Sequence, residues 1–175
     1  MKNGQIHIYT GDGKGKTTAA MGLAFRASAY DKKIYILQFL KGRKTGERLS
    51  AEKFDNITFE RANKSKKFFI QMNEEEKKEQ KEEIKEIWNK INDLLENSDY
   101  EIIIFDEIMG AISNGMVEIE DVKELLENKG KDKELLLTGR NAPQDLIDMA
   151  DYVTEMKMIK HPFTKNIPAR EGIEY

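Results

Sequence analysis

The segment Thr10-Gly-Asp-Gly-Lys-Gly-Lys-Thr-Thr18 constrains this chain more than any other. An apolar run, Ile6 to Tyr9, precedes it, and Ala19, Ala20, Gly22, Leu23 and Ala24 follow it as a close-packing helix. A Gly-rich turn between strand and helix lets successive backbone N–H groups converge on phosphate oxygens, and the helix N-terminus adds partial positive charge. Gly11, Asp12, Gly13, Lys14 and Gly15 would form that cradle. Lys16 would neutralise phosphate oxygens, the Thr17 hydroxyl would ligate a magnesium or manganese ion bridging them, and Thr18 would contact another phosphate. The strict phosphate-loop pattern has glycine where Thr10 stands, but the strand before and the helix after supply the context that the motif requires.

Beyond this turn, strand-like and helix-like runs alternate. The pattern predicts strands at Ile6 to Tyr9, Ile34 to Phe39, Ile57 to Glu60, Tyr100 to Phe105, Glu134 to Thr138 and Tyr152 to Met158. Helices are predicted at Thr17 to Ala29, Arg48 to Phe54, Glu74 to Asn97, Asp121 to Lys129 and Pro143 to Ala150. Strands separated by helices imply a single doubly wound α/β domain, its mostly parallel sheet flanked by helices. Within Glu74 to Asn97, residues Ile84, Ile87, Trp88, Ile91, Leu94 and Leu95 make one helical stripe, which assigns Trp88 to the core. Gly42 to Gly46 and Asn63 to Asn73 read as loops, and binding loops are expected at the C-terminal ends of parallel strands.

With 175 residues the chain is long enough for one domain with its own core. It has no cysteine, which excludes disulfides, thiolate metal sites and cysteine nucleophiles. No apolar run approaches the roughly 20 residues that cross a bilayer, and no basic-then-apolar leader opens the sequence, so a cytoplasmic protein is expected. The net charge of −3 gives no general field for nucleic acid. Lys64-Ser-Lys-Lys67, followed by Phe68 and Phe69, is the local exception, a basic stretch beside aromatics.

Two further motifs sit at predicted strand ends. Ile102-Ile-Ile-Phe-Asp-Glu107 places Asp106 and Glu107 where carboxylates complete a magnesium shell, directly or through water. Leu137-Thr-Gly-Arg140 brings Arg140 to the same edge, where a guanidinium can hold phosphate. His7 and His161 have no partner at ligand spacing, although His161 could line a site. The residues point to a P-loop enzyme that binds ATP, and two readings stay open here: a small ATPase or kinase with Glu107 as base, or a non-enzymatic nucleotide-switched binding module using Lys64 to Phe69.

Taken together, the Thr10 to Ala20 segment with Arg26 downstream, Gln38-Phe-Leu-Lys-Gly42, Phe105-Asp-Glu107, Leu137-Thr-Gly-Arg140, Ala150-Asp-Tyr-Val-Thr-Glu155, and Lys160-His161 through Gly172-Ile-Glu-Tyr175 resemble the CobA/BtuR-type ATP:corrinoid adenosyltransferases end to end. The resemblance implies a RecA-like P-loop fold and an unusual reaction, in which cobalt in the +1 state of a reduced corrinoid attacks the 5′ carbon of ATP and expels triphosphate. It implies Lys16, Thr17 and Glu107 as catalytic residues, the metal at Thr17, Asp106 and Glu107, and Arg26 and Arg140 near the nucleotide. Gln38 and Lys41 would contact the corrinoid, with Phe68 and Phe69 walling its lower face where the family has a Gly-Phe-Thr-Trp type of sequence. Asp12 stands where the family often has Asn and adds negative charge unless Lys14 pairs with it. A flavoprotein reductase as electron donor and a homodimer are further implications, with neither nucleic acid nor membrane as partner.

Overall fold

A computed structural model describes residues 3–40, 45–62 and 71–174. Six strands run β1 (Ile6–Thr10), β2 (Ile34–Gln38), β3 (Ile57–Arg61), β4 (Ile102–Asp106), β5 (Glu134–Thr138) and β6 (Tyr152–Glu155). They form one sheet in the order β3-β2-β4-β5-β1-β6, and every recorded pairing is parallel. The helices are α1 (Lys16–Ser28), α2 (Gly46–Ala51), α3 (Glu74–Asn97), α4 (Ile108–Ser113), α5 (Ile119–Glu127) and α6 (Gln144–Met149), with a 3-10 turn at Pro162–Lys165. Among these described helices none is long and apolar enough to cross a membrane.

Central strands must be apolar on both faces because helices cover both. Accordingly every residue of β2 and β4 is buried. Successive side chains alternate between the two layers: Ile34, Ile36, Ile102 and Ile104 meet Ala20 and Ala24 of α1 on one face. On the other, Tyr35, Leu37, Ile103 and Phe105 meet α3, α4, α5 and α6. Small residues on α1 let that helix lie close to the sheet, which keeps its N-terminus near the strand ends.

α3 starts at a capping box: Asn73 Oδ1 accepts the Glu76 N–H at 2.8 Å and Glu76 Oε2 accepts the Asn73 N–H at 3.0 Å. Glu74, Glu75 and Glu76 in its first turn favour the positive end of the helix dipole. Its buried stripe contains Ile84, Ile87, Trp88, Ile91 and Leu95, and Trp88 belongs to the core. The sequence pattern missed α4, whose six residues are too few to show a period, and β6 ends at Glu155, short of the expected Met158. Trp88→Ala is expected to lower the unfolding free energy by about 3–5 kcal/mol, read as a lower urea midpoint, with ATP binding retained by the folded fraction.

Candidate functional site

Strand order decides which loops meet. β2, β4, β5 and β1 are neighbours, so Gln38, Asp106, Thr138 and Thr10 end side by side at the C-terminal edge of the sheet. Ligands of open α/β sheets bind at this edge. A cleft of about 670 Å³ opens there, lined by the loop from Asp12 to Gly15, by Lys16, Thr17 and Thr18, by Glu107, by Thr138 to Asn141, and by His161 and the tail residues Ile173 and Glu174.

The phosphate-type loop is held from below by the chain leaving β6. Met156 N–H donates to the Thr10 carbonyl at 2.8 Å, and Gly13 N–H donates to the Met156 carbonyl at 2.6 Å. A Cβ on Gly11 would lie 2.5 Å from that Met156 oxygen, and one on Gly13 2.6 Å from it, so neither position accepts a side chain without backbone movement. Gly11 also has φ 95°, a conformation that side chains disfavour. Thr10 closes β1 with its side chain buried, and its hydroxyl accepts the Ala142 N–H at 3.2 Å. The residue that breaks the strict motif thus belongs to the strand and ties β1 to the loop after β5.

Lys16 bends back over the loop, its Nζ donating to the carbonyls of Gly11 at 2.6 Å and Gly13 at 2.9 Å. Burial pushes its ammonium pKa down, the Arg140 guanidinium pushes it further, and Asp12, Glu107 and Asp106 oppose the shift. Arg140 and Glu107 line the same cleft as Lys16.

Asp106 is fully buried at the end of β4. Its Oδ1 accepts from the hydroxyls of Thr17 at 2.8 Å and Thr138 at 2.7 Å, and its Oδ2 accepts from Gln38 Nε2 at 2.9 Å. Glu107 heads α4 in the left-handed region, at φ 64° and ψ 25°. Non-glycine residues held there cluster at functional sites. Thr17 spends its only proton on Asp106, which leaves hydroxyl lone pairs for a cation, and Oδ2 of Asp106 keeps acceptor capacity. This all-oxygen donor set fits magnesium, which takes few protein ligands and completes its shell with phosphate and water. Among the described residues no group of three or more His, Asp or Glu side chains gathers as a metal site, so phosphate oxygens would be needed.

Other sequence expectations fall elsewhere. Gln38 does not face the cleft as a corrinoid contact would: its side chain is fully buried and engaged by Asp106. Arg26 lies in the last turn of α1, exposed and about 15 Å along the helix from Lys16, outside the cleft lining. Lys41, Phe68, Phe69 and the Lys64 to Lys67 stretch lie outside the described residues. Lys14 pairs with Glu174 at 3.0 Å in place of Asp12. Glu174 is in turn bound by Arg170, whose contacts together with Lys14 hold its carboxyl down to about 2. His161 lines the cleft, its Nδ1 accepting the Phe163 N–H, whereas His7 pairs with Glu134 at 2.5 Å and stacks on Tyr152 within the sheet. The roles of Thr138 and Glu174 went unread, although both lie within the motifs Leu137-Thr-Gly-Arg140 and Gly172-Ile-Glu-Tyr175.

Residues 2–175 match the family model described as ATP:corrinoid adenosyltransferase BtuR/CobO/CobP. Curated relatives include a corrinoid adenosyltransferase of Sinorhizobium sp, 35% identical over 99% of this chain and 81% of its own length. One from Escherichia coli (strain K12) is 30% identical over 99% and 87%. The corrinoid adenosyltransferase CobA of Salmonella typhimurium is 29% identical over 99% and 87%.

Gly11→Ala is expected to cost about 1–3 kcal/mol of stability and to abolish the rise in melting temperature that magnesium ATP gives the wild-type chain. A variant that melts at the wild-type temperature and keeps the full rise with magnesium ATP would show that the loop admits a side chain there.

Proposed function

Because the chain belongs to the ATP:corrinoid adenosyltransferase family BtuR/CobO/CobP, we propose that it transfers the 5′-deoxyadenosyl group of ATP to cobalt in the +1 state of a reduced corrinoid and releases triphosphate. The observation that carries this reading is the convergence of Lys16, Thr17, Glu107, Arg140 and the Asp12 to Gly15 loop on one cleft, with buried Asp106 bonded to Thr17 behind them. In the reaction the cobalt electron pair forms a bond to the 5′ carbon, and the carbon–oxygen bond breaks with its pair going to the triphosphate. Negative charge therefore grows on the leaving group, where preorganised donors act most strongly.

Each residue has a task in that scheme. Lys16 exchanges the Gly11 and Gly13 carbonyls for phosphate oxygens, and the loop amides hold the chain of phosphates in line. Arg140 meets the opposite side of the triphosphate. Thr17 and Asp106, with Glu107 beside them, would hold magnesium, which when bound neutralises charge on the leaving oxygens. No protein nucleophile is needed, so the remaining work is alignment and the exclusion of water.

The corrinoid would lie beside the nucleotide at the ends of β2 and β3. Leu40 lines the cleft there, and β2 and β3 both end at this edge. A cytoplasmic location, a homodimer and a flavoprotein reductase supplying electrons complete the proposal, since cobalt must arrive reduced and the sequence has no cysteine for redox chemistry.

The test is anaerobic incubation with magnesium ATP and chemically reduced cob(I)alamin, following the absorbance of the cobalt–carbon product and assaying triphosphate. Equal amounts of adenosylcorrinoid and triphosphate are expected, with turnover falling by about a hundredfold or more in Lys16→Ala and disappearing when EDTA removes magnesium. Release of ADP and phosphate with no alkylated cobalt would overturn the proposal in favour of a hydrolase or kinase.

A further inference from the structure

β5 ends in a hydroxyl that makes two bonds at once. Thr138 Oγ1 donates to Oδ1 of Asp106 at 2.7 Å and accepts the amide N–H of Glu107 at 2.9 Å. A hydroxyl has one proton and two lone pairs, so both bonds are satisfied together. Thr138 itself is fully buried, which leaves it no exchange with solvent. One atom thus fixes the side chain of Asp106 and the backbone of Glu107.

Each of those constraints matters separately. Asp106 turns about its last torsion between Thr17 and Thr138 on one oxygen and Gln38 on the other. Taking away Thr138 frees Asp106 to rotate toward its remaining partners, and the Thr17 hydroxyl turns with it. Glu107 sits in the left-handed region with its amide tied to Thr138, and its conformation aims its side chain into the cleft. A change at Thr138 therefore reaches Thr17, Asp106 and Glu107 through these hydrogen bonds.

We propose that Thr138 is a positioning residue of the adenosyl-transfer site, whose single hydroxyl sets the carboxylate of Asp106 and the backbone of Glu107 for the metal–triphosphate. The proposal rests on the reaction assigned above. Outer partners of metal-binding groups contribute in this way by orienting the groups that touch the ion.

Two substitutions separate this from simple packing: Thr138→Val keeps the shape and loses the hydroxyl, while Thr138→Ser keeps the hydroxyl and loses a methyl group. ATP binding is measured by calorimetry with and without magnesium and without corrinoid, and turnover is measured alongside. Thr138→Val is expected to weaken magnesium-dependent ATP binding and lower kcat by about tenfold to a hundredfold, with KM for the corrinoid held within about twofold and Thr138→Ser close to wild type. Should Thr138→Val not fold, Thr138→Ala provides the hydroxyl-free comparison. The opposite order, Ser impaired and Val or Ala normal in binding, overturns the proposal, as does equal behaviour of all variants. A wild-type chain that binds magnesium ATP but alkylates no corrinoid refutes the reaction instead, and the calorimetric order still judges Thr138.

Discussion

Everything at the C-terminal edge of this sheet is arranged around one buried carboxylate. Asp106 has no exposure, and a charge taken out of water must recover its lost hydration through hydrogen bonds. It does so through three side chains from three different places: Gln38 ending β2, Thr138 ending β5, and Thr17 in the first turn of α1. The strands β2, β4 and β5 are thereby tied at their ends, and α1 is drawn onto the sheet where the phosphate-type loop turns. Removing Gln38 leaves Oδ2 without its donor and removing Thr138 leaves Oδ1 with Thr17 alone, so the requirement that stabilises the fold also determines where Thr17 points.

Lys16 and Arg140 belong to the same balance from the other side. Two cations near one another raise each other's cost of being charged, and burial adds to it for Lys16, whose pKa is lowered on both counts. An arrangement that is costly for two like charges alone becomes favourable once a polyanion lies between them. Asp12, Glu107 and Asp106 act on Lys16 in the opposite direction.

Much of this was legible in the sequence wherever a local rule decides. The stripe from Ile84 to Leu95 marks a long helix within Glu74 to Asn97, because an amphipathic helix repeats its signal over many turns. Asp106, Glu107 and Arg140 could be placed at strand ends because apolar runs stop beside them. Where side chains meet partners distant in sequence, geometry between elements decides. Gln38 reads in sequence as a wall of a binding site, and its bond to Asp106 shows only in the register of β2 beside β4. Arg26 follows the motif closely in sequence, but a helix carries it away along its axis. Asp12 is near Lys14 in sequence, but Lys14 pairs with Glu174, 160 residues away. α4 was invisible because its six residues include Gly110, a poor helix former, and depend on packing for their conformation.

Met156 gives the loop a dependence that no motif search contains. Its amide and carbonyl bracket Thr10 and Gly13, so the cradle is assembled from two stretches of chain that meet only when β6 lies beside β1. The segment from Thr10 to Thr18 is consequently not a portable cassette. Grafted into another strand–helix junction without an edge strand at its flank, it would keep its spelling and lose its shape.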